Sequence, residues 1–277
     1  MQPSDYLESG LLSGAGFVHA FFTRRGGVSE GSFAALNVSP EVGDIAENVA
    51  ENRRRVARVL ELDVERLYVP RQVHGKAVIA LDATLSASEI AATPADALIA
   101  NGPELGCGVR TADCVPILLA DLTTRRVAAV HAGWRGVVDH ILAAVIAQMA
   151  AQGSRPEALI AAIGPHISLE AFEVGEEVAV QLEAASRAEG AVVRSKGRKP
   201  HAALAAIVRS QLEEVGLLPE HVEQVPGCTF EDAASFFSYR RDGHASGRML
   251  SAIVSGTVGD GGRKRRTLAR LTAEQQP

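Results

Sequence analysis

The stretch 111–136 reads TADCVPILLADLTTRRVAAVHAGWRG and carries a thiol, Cys114, and an imidazole, His131. Two apolar runs, 116–120 and 126–130, flank the polar link Asp121-Leu122-Thr123-Thr124. That is the pattern of an antiparallel hairpin. With the turn placed on those four residues, Cys114 falls opposite His131 at the open end of the ladder, with Cβ atoms ~5 Å apart. Such a pair has two chemical uses. A thiolate and an imidazole bind Zn²⁺, at ~2.3 Å and ~2.0 Å. Alternatively, the imidazole lowers the thiol pKa and creates a nucleophile. A small buried cysteine beside a hydrogen-bonded core histidine is the third reading of the same pattern. A one-residue register slip turns one side chain to the other face and removes the pair.

Gln72-Val73-His74-Gly75 precedes a strand-like segment, which puts His74 at a loop–strand junction. With Cys114 and His131 it makes a two-histidine, one-cysteine set. Three protein ligands with a fourth position open is a catalytic rather than a structural zinc arrangement. Spacing alone does not bring His74 to the hairpin. After His131, Ala132-Gly133-Trp134-Arg135-Gly136 leads into a helix. A Gly-rich strand-to-helix turn exposes backbone N–H groups, and Arg135 adds a bidentate donor for an anion. Trp134, the only tryptophan, equally suits a core position. Asp113, beside the thiol, suits a general base or a carboxylate that orients a ligand histidine.

The elements that position these groups alternate along the chain. FVHAFF (17–22) reads as a strand and runs into the Gly-rich basic loop TRRGGVSEGS. Asp44 is expected to cap a helix through Val49, Val56, Val59 and Leu60, with Arg53, Arg54 and Arg55 on a solvated face. Strands are expected at 77–81, 97–100, 106–110, 158–163, 222–225 and 249–254. Helices are expected at 137–151, 174–188 and 202–215. RSKGRK (194–199) is a basic loop. No repeat at solenoid periods is present. This alternation predicts a single α/β (or α+β) domain over 16–254, with a lead-in at 1–15 and a mobile basic tail at 255–277.

Composition narrows the functional classes. Lys plus Arg is 28 and Asp plus Glu is 33 in 277 residues, a formal charge of −5 that argues against bulk nucleic-acid binding. No apolar run approaches the ~20 residues needed to span a bilayer. The N-terminal MQPSDYLESGLL lacks a basic n-region, so a signal peptide is not expected. Three cysteines, Cys107, Cys114 and Cys228, cannot all pair internally. That excludes a disulfide scaffold and favours a cytoplasmic thiol protein. Cys107 and Cys228 read as structural.

Several motifs in order resemble the YfiH-type family, also described as laccase-domain, polyphenol oxidase or purine nucleoside phosphorylase proteins. They are Phe22-Thr23-Arg24-Arg25-Gly26-Gly27-Val28-Ser29, Leu36-Asn37, Glu51-Asn52-Arg53, Gln72-Val73-His74-Gly75, Thr111-Ala112-Asp113-Cys114 and His131-Ala132-Gly133-Trp134-Arg135-Gly136. Gly164-Pro165, Phe172-Glu173-Val174-Gly175, Cys228-Thr229 and Phe236-Phe237-Ser238-Tyr239-Arg240-Arg241-Asp242 complete the match, which covers 16–254. The resemblance implies a layered sandwich with mixed β-sheets, related to the cytotoxic-necrotizing-factor type of cysteine hydrolase. It implies a cytoplasmic zinc enzyme that phosphorolyses adenosine, inosine and guanosine, with S-methyl-5′-thioadenosine phosphorylase and adenosine deaminase activities. Zinc ligands are implied at His74, Cys114 and His131. Some members are linked to peptidoglycan precursor editing. The partners implied are purine nucleosides and inorganic phosphate, with no nucleic acid, membrane or obligate protein partner.

Further site residues follow from that substrate class. Arg24, Arg25, Arg240 and Arg241 are candidate anion clamps. Phe236, Phe237 and Tyr239 offer aromatic faces to a flat base, or core packing. Asn37 hydrogen-bonds substrate or holds a turn, and Gly133 sits in the turn beside the ligands. A commonly acidic family position aligns with Ala203 here, which leaves that acid's role open. Oxidase chemistry with clustered coppers needs many histidines in HxH pairs. This chain has eight histidines and no such pair. A single copper remains the alternative occupant, since Cu²⁺ outcompetes Zn²⁺ on intrinsic affinity, and polyphenol oxidase the alternative activity. A cysteine amidohydrolase with Cys114 as nucleophile is a further alternative.

Overall fold

The computed structural model describes residues 1–81 and 84–256. All but the first two residues of the expected tail lie outside them. The strands are β1 (Tyr6–Leu7), β2 (His19–Phe22), β3 (Leu67–Tyr68), β4 (Val78–Ala80), β5 (Ala97–Ala100), β6 (Gly106–Thr111), β7 (Val115–Asp121), β8 (Val127–Ala132), β9 (Leu159–Ile163), β10 (Val192–Val193), β11 (His201–Ala202), β12 (Val222–Gln224) and β13 (Met249–Val254). The helices are α1 (Gly10–Gly14), α2 (Ala46–Val59), α3 (Ala87–Ala92), α4 (Trp134–Val138), α5 (Ile141–Ala151), α6 (Glu176–Ala184), α7 (Leu204–Glu214) and α8 (Tyr239–Asp242). No helix among the described residues is long and apolar enough to cross a membrane.

Two mixed sheets pack face to face. One has the order β12-β9-β7-β8-β5-β4, the other β1-β2-β13-β6-β3. Phe21, Val109 and Ile253 of the second sheet pack against Leu98, Leu118 and Ala129 of the first. The opposite side chains of the first sheet, including Ile117, Leu119 and Val130, pack on α5 and α7 through Leu142, Val145, Ile207 and Val208. The outer face of the second sheet packs on α2 through Val56 and Ala57. The result is a four-layer α/β/β/α sandwich in one mixed α/β domain. Strands buried on both faces read as continuous apolar runs. That is why 115–121 and 127–132 stand out in the sequence.

Four expectations need correction. In the β7–β8 hairpin, Pro116 pairs with His131 and Ala120 with Val127, so Cys114 is not directly opposite His131. The Asp121 N–H donates to Arg126 O, which leaves Leu122, Thr123, Thr124 and Arg125 as the turn, with Arg125 at φ 63°. Asp121 stays in the strand, and its carboxylate accepts from the Thr123 and Thr124 N–H groups at 2.7 and 3.0 Å. The register differs by two positions from the expected one. Because side chains alternate with period two, Cys114 and His131 still share a face, as diagonal neighbours.

The expected helix 137–151 is two helices, α4 and α5. They are broken at His140, which takes a left-handed φ of 57°. Asp44 does not cap α2. Its carboxylate accepts from Ser29 Oγ and Asn37 Nδ2 instead, and Ile45 holds the cap position. The expected solvated face of α2 is also divided. Arg54 and Arg55 bind Glu51, while Arg53 lines an internal pocket with Leu67, Val69 and Leu250.

Candidate metal centre and substrate cavity

His131 sits near the end of β8, where β5 is the other neighbour. Continuing the β5–β8 ladder past Ala97 and Val130 sets Asp96 opposite His131. The His131 N–H donates to Asp96 O at 2.8 Å, and its ring Nδ1 meets Asp96 Oδ1 at 2.8 Å. That bond fixes the ring and leaves Nε2 to face Cys114. Asp96 is fully buried and also accepts from the N–H groups of Val73, His74 and Gly75, at 3.2, 2.9 and 2.7 Å. One carboxylate therefore orients one imidazole and anchors the loop that carries the other. His74 takes a left-handed φ of 60°, and its Nε2 lies 4.0 Å from Cys114 Sγ.

The donor atoms of His74, Cys114 and His131 all lie within 4.8 Å of one another. The two imidazole rings meet edge to face at 4.8 Å between centroids. A four-coordinate zinc with these bond lengths needs ligand atoms somewhat closer than that. A modest swing of the exposed His74 ring supplies the difference, so the donor set fits a single metal ion. The space between the ligands depends on Gly133. A Cβ there would stand 3.0 Å from His74 Cδ2 and 3.3 Å from Cys114 Sγ.

Without a metal these groups polarise one another. Burial pushes the Cys114 thiol up, but His131 and His74 pull it down further, to about 6. Burial lowers the His131 imidazolium, but the Cys114 thiolate and Asp96 raise it, to about 9. The thiolate of Cys114 and the imidazolium of His131 thus favour each other, and the two groups titrate jointly. Burial raises the Asp96 carboxyl, and the bonds from His131, Gly75 and Val73 outweigh it and hold the group below its ordinary value.

These three donors open onto a cavity of about 540 Å³. Of the expected site residues it brings together His74, Asp113, Cys114, His131, Arg135, Tyr239 and Arg240. Arg135 stacks 4.4 Å over the Trp134 ring, and Arg240 lies 5.3 Å from the Phe172 centroid. Asp113 adopts φ 96° in the β6–β7 turn. Its carboxylate accepts from Thr229 Oγ1 at 2.7 Å and from the Arg240 N–H at 2.6 Å. It therefore fixes a wall of the cavity, and the carboxylate that orients His131 is Asp96.

The remaining expected residues are spent on structure outside the cavity. Arg24 donates to Ala34 O and Ala233 O and stacks on Phe237, while Arg25 reaches Ala234 O and Ser235 Oγ. Arg241 donates to the carbonyls of Thr229, Phe230 and Phe236. Phe236 and Phe237 are buried in a small cluster with Ala112 and Met249. Asn37 is buried and accepts from the Arg248 N–H at 2.9 Å. These groups clamp the Gly-rich loop and the 233–241 segment together, behind the lining.

Sequence reading missed Asp96, Arg110 and Arg248. Arg110 is the next-to-last residue of β6 and Arg248 directly precedes β13, and both reach the cavity. The backbone of Arg110 is held by Gln72 through paired bonds of 2.7 and 2.8 Å. The available signal was positional: an arginine or an acid at the end of an apolar strand.

A sequence model described as multi-copper polyphenol oxidoreductase laccase matches residues 18–256. The chain belongs to this family. A purine nucleoside phosphorylase of Deinococcus radiodurans is 40% identical over 235 residues, covering 85% of this chain and 88% of the relative. A protein named adenosine deaminase RL5, from an unknown prokaryotic organism, is 37% identical, covering 85% and 93%. The solved structure of YlmD from Geobacillus stearothermophilus aligns with TM-score 0.84 at 29% identity, covering 92% of this chain and 98% of that one. These relatives support an enzyme of this family. The family's description names several coppers, but among the described residues a single group, His74, Cys114 and His131, has the geometry to hold a metal.

Proposed function

We propose that this protein is a zinc-dependent purine nucleoside phosphorylase that converts adenosine, inosine or guanosine and phosphate into the free base and ribose 1-phosphate. S-methyl-5′-thioadenosine phosphorolysis and adenosine deamination are further activities of the same site. The observation that carries this reading is one cavity lined both by the clustered His74, Cys114 and His131 donors and by four arginines, Arg110, Arg135, Arg240 and Arg248. The names of the relatives support the substrate class. We place the protein in the cytoplasm, in keeping with its three free thiols. The catalytic unit in this reading is residues 16–254.

His74, Cys114 and His131 would hold the zinc, which supplies Lewis acidity and lowers the pKa of water toward ~7. The four arginines hold phosphate and offset the charge that develops as its oxygen attacks C1′ and the bond to the purine nitrogen breaks. Tyr239, Phe172 and the Trp134–Arg135 stack offer flat faces for the base. Asp113 fixes the backbone of Arg240, so the guanidinium is presented from a rigid wall. Asp96 keeps the His131 Nδ1 proton engaged, so that Nε2 is available to the metal.

The test is incubation of the zinc-loaded protein with adenosine and phosphate. Adenine and ribose 1-phosphate are expected, with inosine as the second product. Absence of both at every zinc loading overturns the reading. The low Cys114 thiol pKa favours a second reading, a cysteine amidohydrolase of the kind that would edit peptidoglycan precursors. Amide hydrolysis by metal-stripped protein, abolished by alkylation of Cys114, would replace the first reading with this one.

A further inference from the structure

Three histidines line the cavity, and the metal reading uses two of them. The third is His244, in the 3₁₀ turn Gly243–Ala245 that follows α8. Gly243 takes φ 60° and turns the chain back after that helix. Arg248 donates to the carbonyls of Ser246 and Gly247 at 2.7 and 2.9 Å and so braces the returning segment. The same guanidinium lies 5.6 Å from the Tyr239 ring centroid. The His244 ring meets the Tyr239 ring edge to face, with centroids 5.5 Å apart and planes at 86°. Its Nε2 lies 3.5 Å from the Tyr239 hydroxyl. Among the described residues, no hydrogen bond engages its Nδ1. Both side chains are exposed at the cavity rim.

Phosphorolysis makes one demand that the metal and the arginines do not meet. As the C1′–N9 bond breaks, its electron pair passes into the purine, and negative charge builds on the five-membered ring of the base. A proton delivered to N7 in the transition state removes that charge. The cavity offers few donors for it. Asp113 accepts at both oxygens, from Thr229 Oγ1 and from the Arg240 N–H, so it acts as a carboxylate. Glu41 pairs with Arg110 at 3.5 Å. Guanidinium groups do not give up a proton. Imidazole is the side chain that exchanges its proton near neutral pH, where a general acid works best.

We propose that His244 is the general acid that protonates purine N7, with Tyr239 as its positioning residue. This role rests on the phosphorolytic reading above. In the imidazolium, Nε2–H donates to the Tyr239 oxygen and Nδ1 carries the proton that moves, much as Asp96 engages one ring nitrogen of His131 and leaves the other for chemistry. Such bonds tighten once substrate is bound. In the step a phosphate oxygen bonds C1′, the C1′–N9 pair passes into the base, and the Nδ1 proton goes to N7. Hydrogen phosphate sheds one proton as it becomes ribose 1-phosphate, and water at the exposed rim returns one to His244. N7 is common to adenosine, inosine and guanosine and absent from pyrimidine nucleosides. One donor therefore serves all three purines and gives no help with uridine or cytidine.

The experiment compares guanosine with 7-methylguanosine in single turnovers of the zinc-loaded full chain with phosphate. N7 of 7-methylguanosine is already alkylated and cationic, so its base leaves without a proton. His244→Gln is expected to slow guanosine cleavage by about a hundredfold or more, the worth of a general acid, and to leave 7-methylguanosine near the wild-type rate. Tyr239→Phe keeps the ring and is expected to slow guanosine alone by about tenfold, the worth of one hydrogen bond. Retained cleavage of 7-methylguanosine and stoichiometric zinc show that each variant is folded. Free imidazole added to His244→Ala is expected to restore part of the guanosine rate. Equal losses on both nucleosides, a wild-type guanosine rate in His244→Gln, or no rescue by imidazole each overturn the assignment. A wild-type protein that cleaves neither nucleoside removes the phosphorylase reading and this role with it. One that cleaves guanosine, while His244→Gln does so equally well, removes the role alone.

Discussion

Cys107 and Cys114 lie seven positions apart and meet opposite fates. Cys107 is in β6, paired with Ile253 on one side and Tyr68 on the other, and is fully buried between the sheets. Burial pushes its thiol far up, and nothing opposes the shift. Cys114 stands one residue before β7, half-buried, and burial pushes it up too. There His131 and His74 reverse the sign. The thiols are identical in chemistry, so position in the ladder makes the difference. Inside a strand both faces are filled by packing partners. At a strand end the backbone leaves the ladder, as Asp113 and His74 do at positive φ, and side chains from separate elements converge.

The sharpest way to break this contrast is Cys114→Ala. Loss of a zinc ligand is expected to cut zinc affinity more than about a hundredfold, beyond the cost of losing an outer hydrogen-bond partner, with activity falling in step. Elemental analysis of the purified variant reads it. Stoichiometric zinc retained in that variant would contradict the ligand assignment.

Asp96→Asn is expected to cost about 10- to 100-fold in zinc affinity, because the His131 ring and the 73–75 loop lose their shared acceptor. Asp113→Asn serves as the comparison. Its carboxylate bonds Thr229 and the Arg240 backbone, so zinc affinity should hold while the KM for phosphate rises. Equal zinc loss in both variants would mean that Asp96 acts only through general stability. A competitive zinc chelator titration separates the two outcomes.

Much of this arrangement was legible in the sequence. The apolar runs of β7 and β8 announced a hairpin, and the shared face of Cys114 and His131 survived a two-position error in register because alternation has period two. The error came from Asp121, whose type suggests a turn but which ends a strand and caps the turn with its side chain. His74 was expected to join Cys114 and His131, but its route to them was hidden, because it depends on a carboxylate more than twenty residues away binding loop N–H groups. Arg24, Arg25 and Arg241 looked like anion clamps because type and motif do not tell a guanidinium that faces solvent-filled space from one that saturates backbone carbonyls. Arg53 erred the other way: it sits in a run of three arginines, and only α2 packing turns it inward.

Alkylation sharpens the electrostatic half of the contrast. In zinc-stripped protein, iodoacetamide is expected to modify Cys114 readily at neutral pH, because a thiol pulled to about 6 is mostly thiolate there. Lowering the pH below that value should slow the reaction by about tenfold per unit, as the thiolate fraction falls. A folded-state pKa below the unfolded one favours the folded form at high pH, and that contribution is lost as pH falls through about 6. Cys107 should stay unmodified across the same range. Zinc should protect Cys114. Mass spectrometry of tryptic peptides assigns the sites, and modification of Cys107 at a rate similar to Cys114 would erase the distinction.

The smallest effects belong to Cys107. Cys107→Ala removes one buried sulfur from the inter-sheet core and should cost about 1 kcal/mol, seen as a lower denaturation midpoint at unchanged slope. Zinc content and alkylation of Cys114 should not move. Cys107→Ser keeps the volume but brings a hydroxyl among Tyr68, Val109 and Ile253, in an apolar cluster between the sheets. An unpaired buried hydroxyl costs about 1–3 kcal/mol, so serine should be the worse replacement, although it resembles cysteine more closely. At Cys114 the order should reverse, since serine retains a donor atom for the metal and alanine does not. The same two substitutions therefore read opposite physics at the two positions, packing at one and ligation at the other. Matching orders at both would show that Cys114 is held there for its volume.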